Sequence, residues 1–567
     1  MKLGGKRYQA TTQVKVLSPE IHSCRWLTQF IFEENSTPKS VKQARVWEPD
    51  GVRGRCMIPQ GTNMDSGEPA HSHNECRDKP INGKERQEIV RRQSDYSVVS
   101  EKPVKAGGEK GIAVARSGAG ATSAGHGTGQ QMSTQLASIT RRARGNPKYV
   151  FITLAHMLNE DFLEESFRML KREAASGIDG VTVKEYEANL KENLQDLVRR
   201  LKTKQYRPQA VRRVFIPKPD GNKRGLGIPA VEDKIVQMGI KRILEAIYEA
   251  DFLEVSFGFR PKRSCHDALE AVDKTIMTKP INCVVDMDIE KFFDTIDHQW
   301  MMKCLRQRIR DGSLLRLIGR FLKAGIMEEG RFISTDKGTP QGGIISPLLA
   351  NVYLHYVLDL WFEKVIKKQL SGYARLIRYA DDFVVCFEKQ YEGRAFKDKL
   401  KERLGKFGLK IAESKSRVIR FGRRASQRAR SSGKKTATFD FLGFTHYCCK
   451  TRKGRFKLGR KTSGKKLRAA MTAMNLWLKG IRNLVALSEW WPVLRSKLTG
   501  HYRYYGISGN KRGISAYNRM VQKLAFKWIN RRSQKKSYTW EQFRGFLAYN
   551  PLPEPKLYHL TYTLCRN

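Results

Sequence analysis

The stretch LIRYADDFVVCFE, residues 376–388, sets two adjacent carboxylates, Asp381 and Asp382, between two runs of strand-forming apolar residues. The pattern predicts a buried hairpin whose turn is Asp-Asp. Two like charges side by side in a buried setting repel each other, and neither sequence neighbour is basic, so a hairpin built for stability alone is a poor explanation. A divalent cation would resolve the conflict. An ordinary acidic turn is the simpler reading of these residues in isolation, and the rest of the chain decides between the two.

A second acidic stretch, CVVDMDIEKFFDTIDH, occupies residues 283–298. On a strand, Val285, Met287 and Ile289 share one face while Asp286 and Asp288 share the other. One face can bury against helices while carboxylates project into a cleft. Phosphoryl transfer asks a protein mainly for in-line positioning and for neutralisation of developing charge, which two Mg²⁺ ions on a few hard carboxylate oxygens supply. Three Asp from two neighbouring strands would suffice. Further upstream, VRRVFIPKPDGNKRGLGIP (211–229) reads as a strand at Val214–Ile216, a turn at Pro219–Asn222 and a return strand at Leu226–Ile228. Its tip carries Lys218, Lys223 and Arg224. A hairpin like this either overhangs something acidic or is simply a solvated surface feature. Helical apolar spacing flanks it, at Leu190, Leu194, Leu197, Val198 and Leu201, and at Val236, Ile240, Ile243, Leu244 and Ile247.

Charge narrows the function classes. The 567 residues hold 106 Lys+Arg against 56 Asp+Glu, a net +50, and a polyanionic partner such as nucleic acid accounts for that excess where a core does not. Residues 417–468 contain 18 basic residues and one acid, Asp440; residues 469–567 contain 17 and three Glu. Helical spacing persists in the latter, at Leu476, Ile481, Leu484 and Val485 and again at Met520, Leu524 and Trp528, which predicts a folded basic domain. Ten scattered cysteines without a C-x-x-C pair argue against a disulfide scaffold, and the absence of a long apolar run argues against a membrane-spanning helix. The opening 135 residues lack sustained periodicity and end in a Gly/Ser/Ala/Thr-rich stretch, so residues 1–135 are expected to be a low-order extension and linker, with order starting near Pro147. His71, His73 and Cys76 lack a fourth ligand at a sensible spacing and read as a solvated loop rather than a zinc site.

The ordered series IPKPDGNKRGLGIP (216–229), SFGFRPKRSCHDAL (256–269), VVDMDIEKFFDTIDH (284–298), GTPQGGIISPLLANVYLHYVLD (338–359), YADDF (379–383), FGLKIAESKSRVI (407–419) and FDFLGF (439–444) resembles the reverse transcriptase/maturases of bacterial group II introns. LTGHYRYYG (498–506) and WINRRSQKKSYTWEQF (528–543) are similar to the maturase part of their thumb. The likeness covers about residues 147–560 and implies an α+β right-hand polymerase: fingers over 136–280, a palm with an antiparallel sheet over 281–450, and a basic helical thumb/maturase domain over 451–567. It implies RNA-directed DNA synthesis combined with intron RNA binding for splicing and mobility. Asp288, Asp381 and Asp382 would hold two Mg²⁺ ions (Mn²⁺ a possible substitute), with the Ile289 carbonyl assisting. Phe293 would block a ribose 2′-OH, with Phe292 beside it as the other contender. Arg212, Lys218 and Arg224 would grip the incoming dNTP, Gln341 would stand near its pocket, and Gly338, Gly342 and Gly343 would let backbone approach substrate. Lys465, Lys466, Arg468, Tyr502, Tyr504, Arg531 and Arg532 would contact RNA, the aromatics either stacking on bases or forming helical core. Implied partners are structured intron RNA, an RNA template with DNA primer, dNTPs and target DNA, in the bacterial cytoplasm near the nucleoid.

Two departures stand out. Arg224-Gly225-Leu226 replaces the family's common R-P-L, and Gly loosens a turn that Pro would stiffen. After Phe543 only 24 residues remain, too few for the zinc-supported H-N-H nuclease that many relatives append, so no DNA endonuclease is expected. Rival readings are a splicing-only maturase whose palm is a scaffold, and a domesticated reverse transcriptase in defence or diversification.

Overall fold

Alternating apolar residues and Gly/Pro breaks place eleven strands among the described residues of the computed structural model, which are 127–217, 223–532 and 537–560, with side chains from residue 134. In chain order the strands are β1 (Val211–Pro217), β2 (Lys223–Ile228), β3 (Cys283–Met287), β4 (Ile326–Glu328), β5 (Arg331–Ile333), β6 (Ala374–Tyr379), β7 (Asp382–Phe387), β8 (Arg417–Arg420), β9 (Phe439–Phe441), β10 (Phe444–Lys450) and β11 (Phe456–Thr462). They form three sheets, ordered β6-β7-β3-β8, β2-β1-β4-β5 and β11-β10-β9.

The first sheet is antiparallel throughout and carries both acidic stretches on adjacent central strands, with Met287 opposite Phe383 and Asp286 opposite Val384. The expected alternation on β3 holds only at its end. Cys283, Val284 and Val285 are all buried, because the strand is covered on both faces there; Asp286 is the first side chain to reach partial exposure. The strand stops at Met287, so Asp288 sits just past it. Helix Gln390–Lys406 covers one face, and helix Cys265–Thr278, opened by a Ser264/Asp267 capping box, packs beside β6. Helix Ser346–Leu354 runs on into two π-helical turns, His355–Asp359 and Phe362–Ile366. Such turns displace side chains from regular helical register.

The basic hairpin exists as expected: β1 and β2 pair antiparallel from Arg212–Ile228 to Pro217–Lys223. Its turn, with Lys218, lies outside the described residues. The hairpin is not isolated, since β1 also pairs in parallel with β4. Helix Val231–Tyr248, largely buried, follows it.

Two boundaries move. Helix Gly127–Gly145 begins inside the stretch read as linker and well before Pro147. Good helix formers follow Gly129, Ala143 is fully buried, and Arg308 donates from Nη2 to the Ala143 carbonyl (3.2 Å) and from Nη1 to the Asn146 carbonyl (3.2 Å) while pairing with Asp251 (3.1 Å). The rest of the extension, with His71, His73 and Cys76, lies outside the described residues. A division at 450/451 would cut the β10–β11 hairpin, whose strands pair from Phe444–Thr462 to Lys450–Phe456. Beyond it, helices Gly464–Ile481, Leu487–Tyr505 and Lys511–Ile529 pack around buried Trp477, Trp490, Leu494, Leu498, Tyr517 and Trp528. Among the described residues no helix is long and apolar enough to cross a membrane.

Candidate active site

The β6–β7 hairpin pairs Tyr379 with Asp382, leaving Ala380 and Asp381 as its two-residue turn. Ala380 adopts φ +57°, a left-handed conformation that costs a residue with a Cβ of order 1 kcal/mol. Burial raises the Asp381 carboxyl above the ordinary range, the Asp288 charge adds to this, and Arg224 and Arg378 oppose it. Burial likewise pushes Asp382 up to about 7, with Asp286, Asp381 and Asp288 all contributing repulsion. The three expected acids therefore sense one another at one end of the sheet. A fourth, Asp286, joins them. Burial lifts it to about 6 although Arg417 Nη2 lies 3.2 Å from its Oδ2.

Asp288 is the most accessible of the set. Its backbone N–H donates to Ser416 Oγ (3.3 Å), its carbonyl accepts from Ala412 N (2.8 Å), and its Oδ2 lies 2.9 Å from Lys415 Nζ. That ion pair turns the carboxylate toward the 412–416 loop. Among the described residues no three His, Cys, Asp or Glu side chains close on a common point as they stand.

The sequence-predicted nucleotide residues divide. Phe292 is buried against Tyr353 (6.4 Å between ring centroids), whereas Phe293 is only half-buried, so Phe293 is the ring free to meet a ligand. Arg224 is exposed on β2, and its charge reaches Asp381. Arg212 is tied back, donating from Nη2 to the Ser176 carbonyl at 2.7 Å. The carbonyl of Gln341 accepts from Gly227 N at 2.6 Å and so fastens the Pro-Gln-Gly loop to the hairpin. Gly338 and Gly342 have φ +86° and +115°, and a Cβ on them would strike the Phe293 and Gly227 carbonyls respectively. Gly343 faces the Ser346 hydroxyl. What these glycines admit in the structure is protein backbone and side chain. Gly225 is explained the same way: the Arg213 guanidinium fills the space where a side chain at 225 would stand.

Residues 216–446 match the reverse transcriptase (RNA-dependent DNA polymerase) family. They form a reverse transcriptase domain. The chain is 39% identical over 210 residues to protein YkfC of Escherichia coli, covering 36% of this chain and 53% of YkfC. It is 38% identical over 231 residues to the group II intron-encoded protein LtrA of Lactococcus lactis, covering 40% of this chain and 38% of LtrA. An uncharacterized 91 kDa protein in the cob intron of Schizosaccharomyces pombe is 33% identical over 248 residues, 43% of this chain and 30% of that protein. The relatives that this domain matches thus include a group II intron-encoded protein, and the chain spans about half or less of the length of each of them.

Within the reverse transcriptase domain the donor set suits a hard divalent ion. Asp288, Asp381, Asp382 and the Ile289 carbonyl offer only oxygens; burial is the main cause that raises Asp382, and the repulsion from Asp286, Asp381 and Asp288 that adds to it is what a cation would relieve. Asp286 belongs to the same electrostatic cluster. Its place on the acid face of β3 was the sequence signal, but its half-burial was not visible there. Lys415, Arg417 and Arg378 gave no sequence signal, since nothing in periodicity links 415–417 or 378 to the acids.

Outside the domain, Tyr502 is fully buried. Tyr504 donates its hydroxyl to the Leu442 carbonyl (3.0 Å) and stacks on Phe444. Tyr502 is therefore core, the second of the two alternatives, whereas Tyr504 is half-buried with its hydroxyl and ring engaged within the protein. Lys465, Lys466, Arg468 and Arg531 are exposed, and Arg532 is half-buried.

Proposed function

We propose that this chain is an RNA-directed DNA polymerase that also binds intron RNA to assist splicing and mobility. The observation that carries the reading is the meeting of Asp288, Asp381 and Asp382 at one end of an antiparallel sheet, inside a reverse transcriptase domain. On this reading the β6-β7-β3-β8 sheet is the palm, the β2-β1-β4-β5 sheet with helix Val231–Tyr248 is the fingers, and the region from β9 onward is the thumb/maturase part.

Asp288, Asp381 and Asp382 would hold two Mg²⁺ ions, with the Ile289 carbonyl assisting, and the ions would neutralise charge on the attacking and leaving oxygens. The chain's own residues do the rest. Arg224 extends positive charge from the hairpin toward the site and would bind the triphosphate. Phe293, whose ring is half-exposed, would stand at the sugar position and exclude a 2′-OH. The Gly227 N–H bond to the Gln341 carbonyl ties the hairpin to the Pro-Gln-Gly loop, and Gln341 would stand near the nucleotide pocket. Exposed cations on the C-terminal helices would bind intron RNA by charge and shape. Target DNA and the cytoplasm of a bacterial host complete the proposed setting.

The test uses a primed RNA template, dNTPs and Mg²⁺. Extension is expected from the natural chain, and Asp381→Asn/Asp382→Asn should lower cDNA synthesis by orders of magnitude, because neutral amides do not retain the ion. Intron RNA binding and splicing assistance should persist in that variant. Normal cDNA synthesis by the variant would overturn the site; joint loss of RNA binding would overturn the division of labour.

A further inference from the structure

Arg378 is fully buried one residue before the Tyr379–Asp382 turn, and every polar atom of its guanidinium is bonded. Nε and Nη2 donate to the two Asp359 carboxylate oxygens at 2.7 and 2.5 Å. Nη1 donates to Asn351 Oδ1 (3.0 Å) and to the Ala380 carbonyl (2.9 Å), and Nη2 also donates to Ser256 Oγ (2.8 Å). Asn351 in turn donates to the Gly258 carbonyl at 2.7 Å. Gly258 presses on the turn from outside, since a Cβ there would collide with Ala380 N. The strand edge is stitched as well: Arg378 N donates to the Val255 carbonyl (2.8 Å) and Phe257 N to the Arg378 carbonyl (2.9 Å).

Two features make this more than a stability device. A fully desolvated Arg–Asp pair gains little over a well-packed apolar pair, so stability alone is a weak reason for it. And its one contact with the acidic turn is the carbonyl of Ala380, the residue held left-handed between Tyr379 and Asp381. Asp359 reaches the network from a π-helical turn, a departure from regular helix of the sort found at functional sites.

We propose that Arg378, held by Asp359, Asn351 and Ser256, is a positioning residue that fixes the Ala380 carbonyl and thereby aims the Asp381 and Asp382 carboxylates for divalent-cation binding. The inference rests on the metal reading of the triad.

The test is Mn²⁺ binding to the full-length protein, followed by the electron paramagnetic resonance of the free ion, together with kcat and KM for primer extension. In Arg378→Met/Asp359→Leu both charges leave together and similar volumes remain, so no buried charge is stranded. This variant is expected to unfold cooperatively, to keep its affinity for primed template, and to lose roughly 10–100-fold in Mn²⁺ affinity and in kcat, the usual scale for partners that orient metal ligands. A folded double variant with natural Mn²⁺ affinity and kcat overturns the proposal. Should it not fold, Asn351→Ala and Ser256→Ala each remove one bond to the guanidinium and keep the ion pair. Weakened Mn²⁺ binding in these supports the proposal; unchanged binding in both overturns it. Asp381→Asn/Asp382→Asn is the control. If that variant binds Mn²⁺ normally, the metal reading itself fails; if it does not, and the network variants do, only the positioning role fails.

Discussion

At the scale of single residues, neighbouring side chains with the same chemistry have opposite fates. Phe292 and Phe293 are indistinguishable in sequence, yet one sits against Tyr353 and the other stands half-exposed. The reason is the short helical turn Phe292–Thr295, which starts after a left-handed Lys291 (φ +45°) and rotates successive side chains by about 100°. Phe293→Ala should therefore admit ribonucleotides, raising rNTP incorporation relative to dNTP by at least about tenfold, a loss of about 1.4 kcal/mol of discrimination. Competition of labelled dCTP and CTP in primer extension measures it. An unchanged ratio would remove Phe293 from the pocket, and Phe292 is too buried to take its place.

At the scale of elements, the β6–β7 hairpin is the clearest case of legibility and of its limit. Apolar runs around Asp-Asp sufficed to read the strands, because a period-two pattern reports which faces are buried, but the turn falls one residue earlier than Asp381-Asp382, on Ala380 and Asp381, with Asp382 already paired to Tyr379. The network beneath was illegible: Arg378, Asp359, Asn351 and Ser256 come from four separated segments, and only tertiary packing brings them together. The hairpin also has a pH signature. Asp382 holds its proton up to about 7 in the fold and only to the ordinary carboxylate range when unfolded. The folded state therefore binds the proton more tightly, and this residue's contribution is fully present below pH 4 and lost as pH rises toward 7. Asp382→Asn abolishes that loss. In the presence of a chelator, the variant should gain on the natural protein between pH 4 and pH 8, reaching of order 1–2 kcal/mol after allowance for solvent screening. Urea unfolding at the two pH values checks it, and parallel pH curves would show that the acid is not buried in solution.

At the scale of the whole molecule, charge was the most readable property and aromatic placement the least. The excess of cations in residues 417–567 follows from counting. Whether Tyr502 and Tyr504 face solvent or core depends on where three helices cross, which periodicity does not supply. The cations, unlike the tyrosines, remain outside: Lys465, Lys466 and Arg468 open an exposed helical turn, and Arg424, Arg428 and Arg430 line a short helix upstream. Changing Lys465, Lys466 and Arg468 together to Gln should reduce the slope of log K against log salt for structured RNA by roughly two to three, one phosphate contact each. Filter binding across a salt series reads the slope directly, and an unaltered slope would place the RNA surface elsewhere.

The space above Gly225 has a consequence in evolutionary terms. Because the Arg213 guanidinium occupies the volume a side chain at 225 would need, the two positions share one allotment of room across the hairpin. A lineage that places Pro at 225 must give up the long side chain at 213 or swing it off the sheet, and Phe215 and Glu328 then lose the guanidinium that stands beside them. A side chain gained at 225 is thereby expected to be absorbed by the flexible end of Arg213 rather than by the backbone, so that history at this hairpin is written first in where that guanidinium rests.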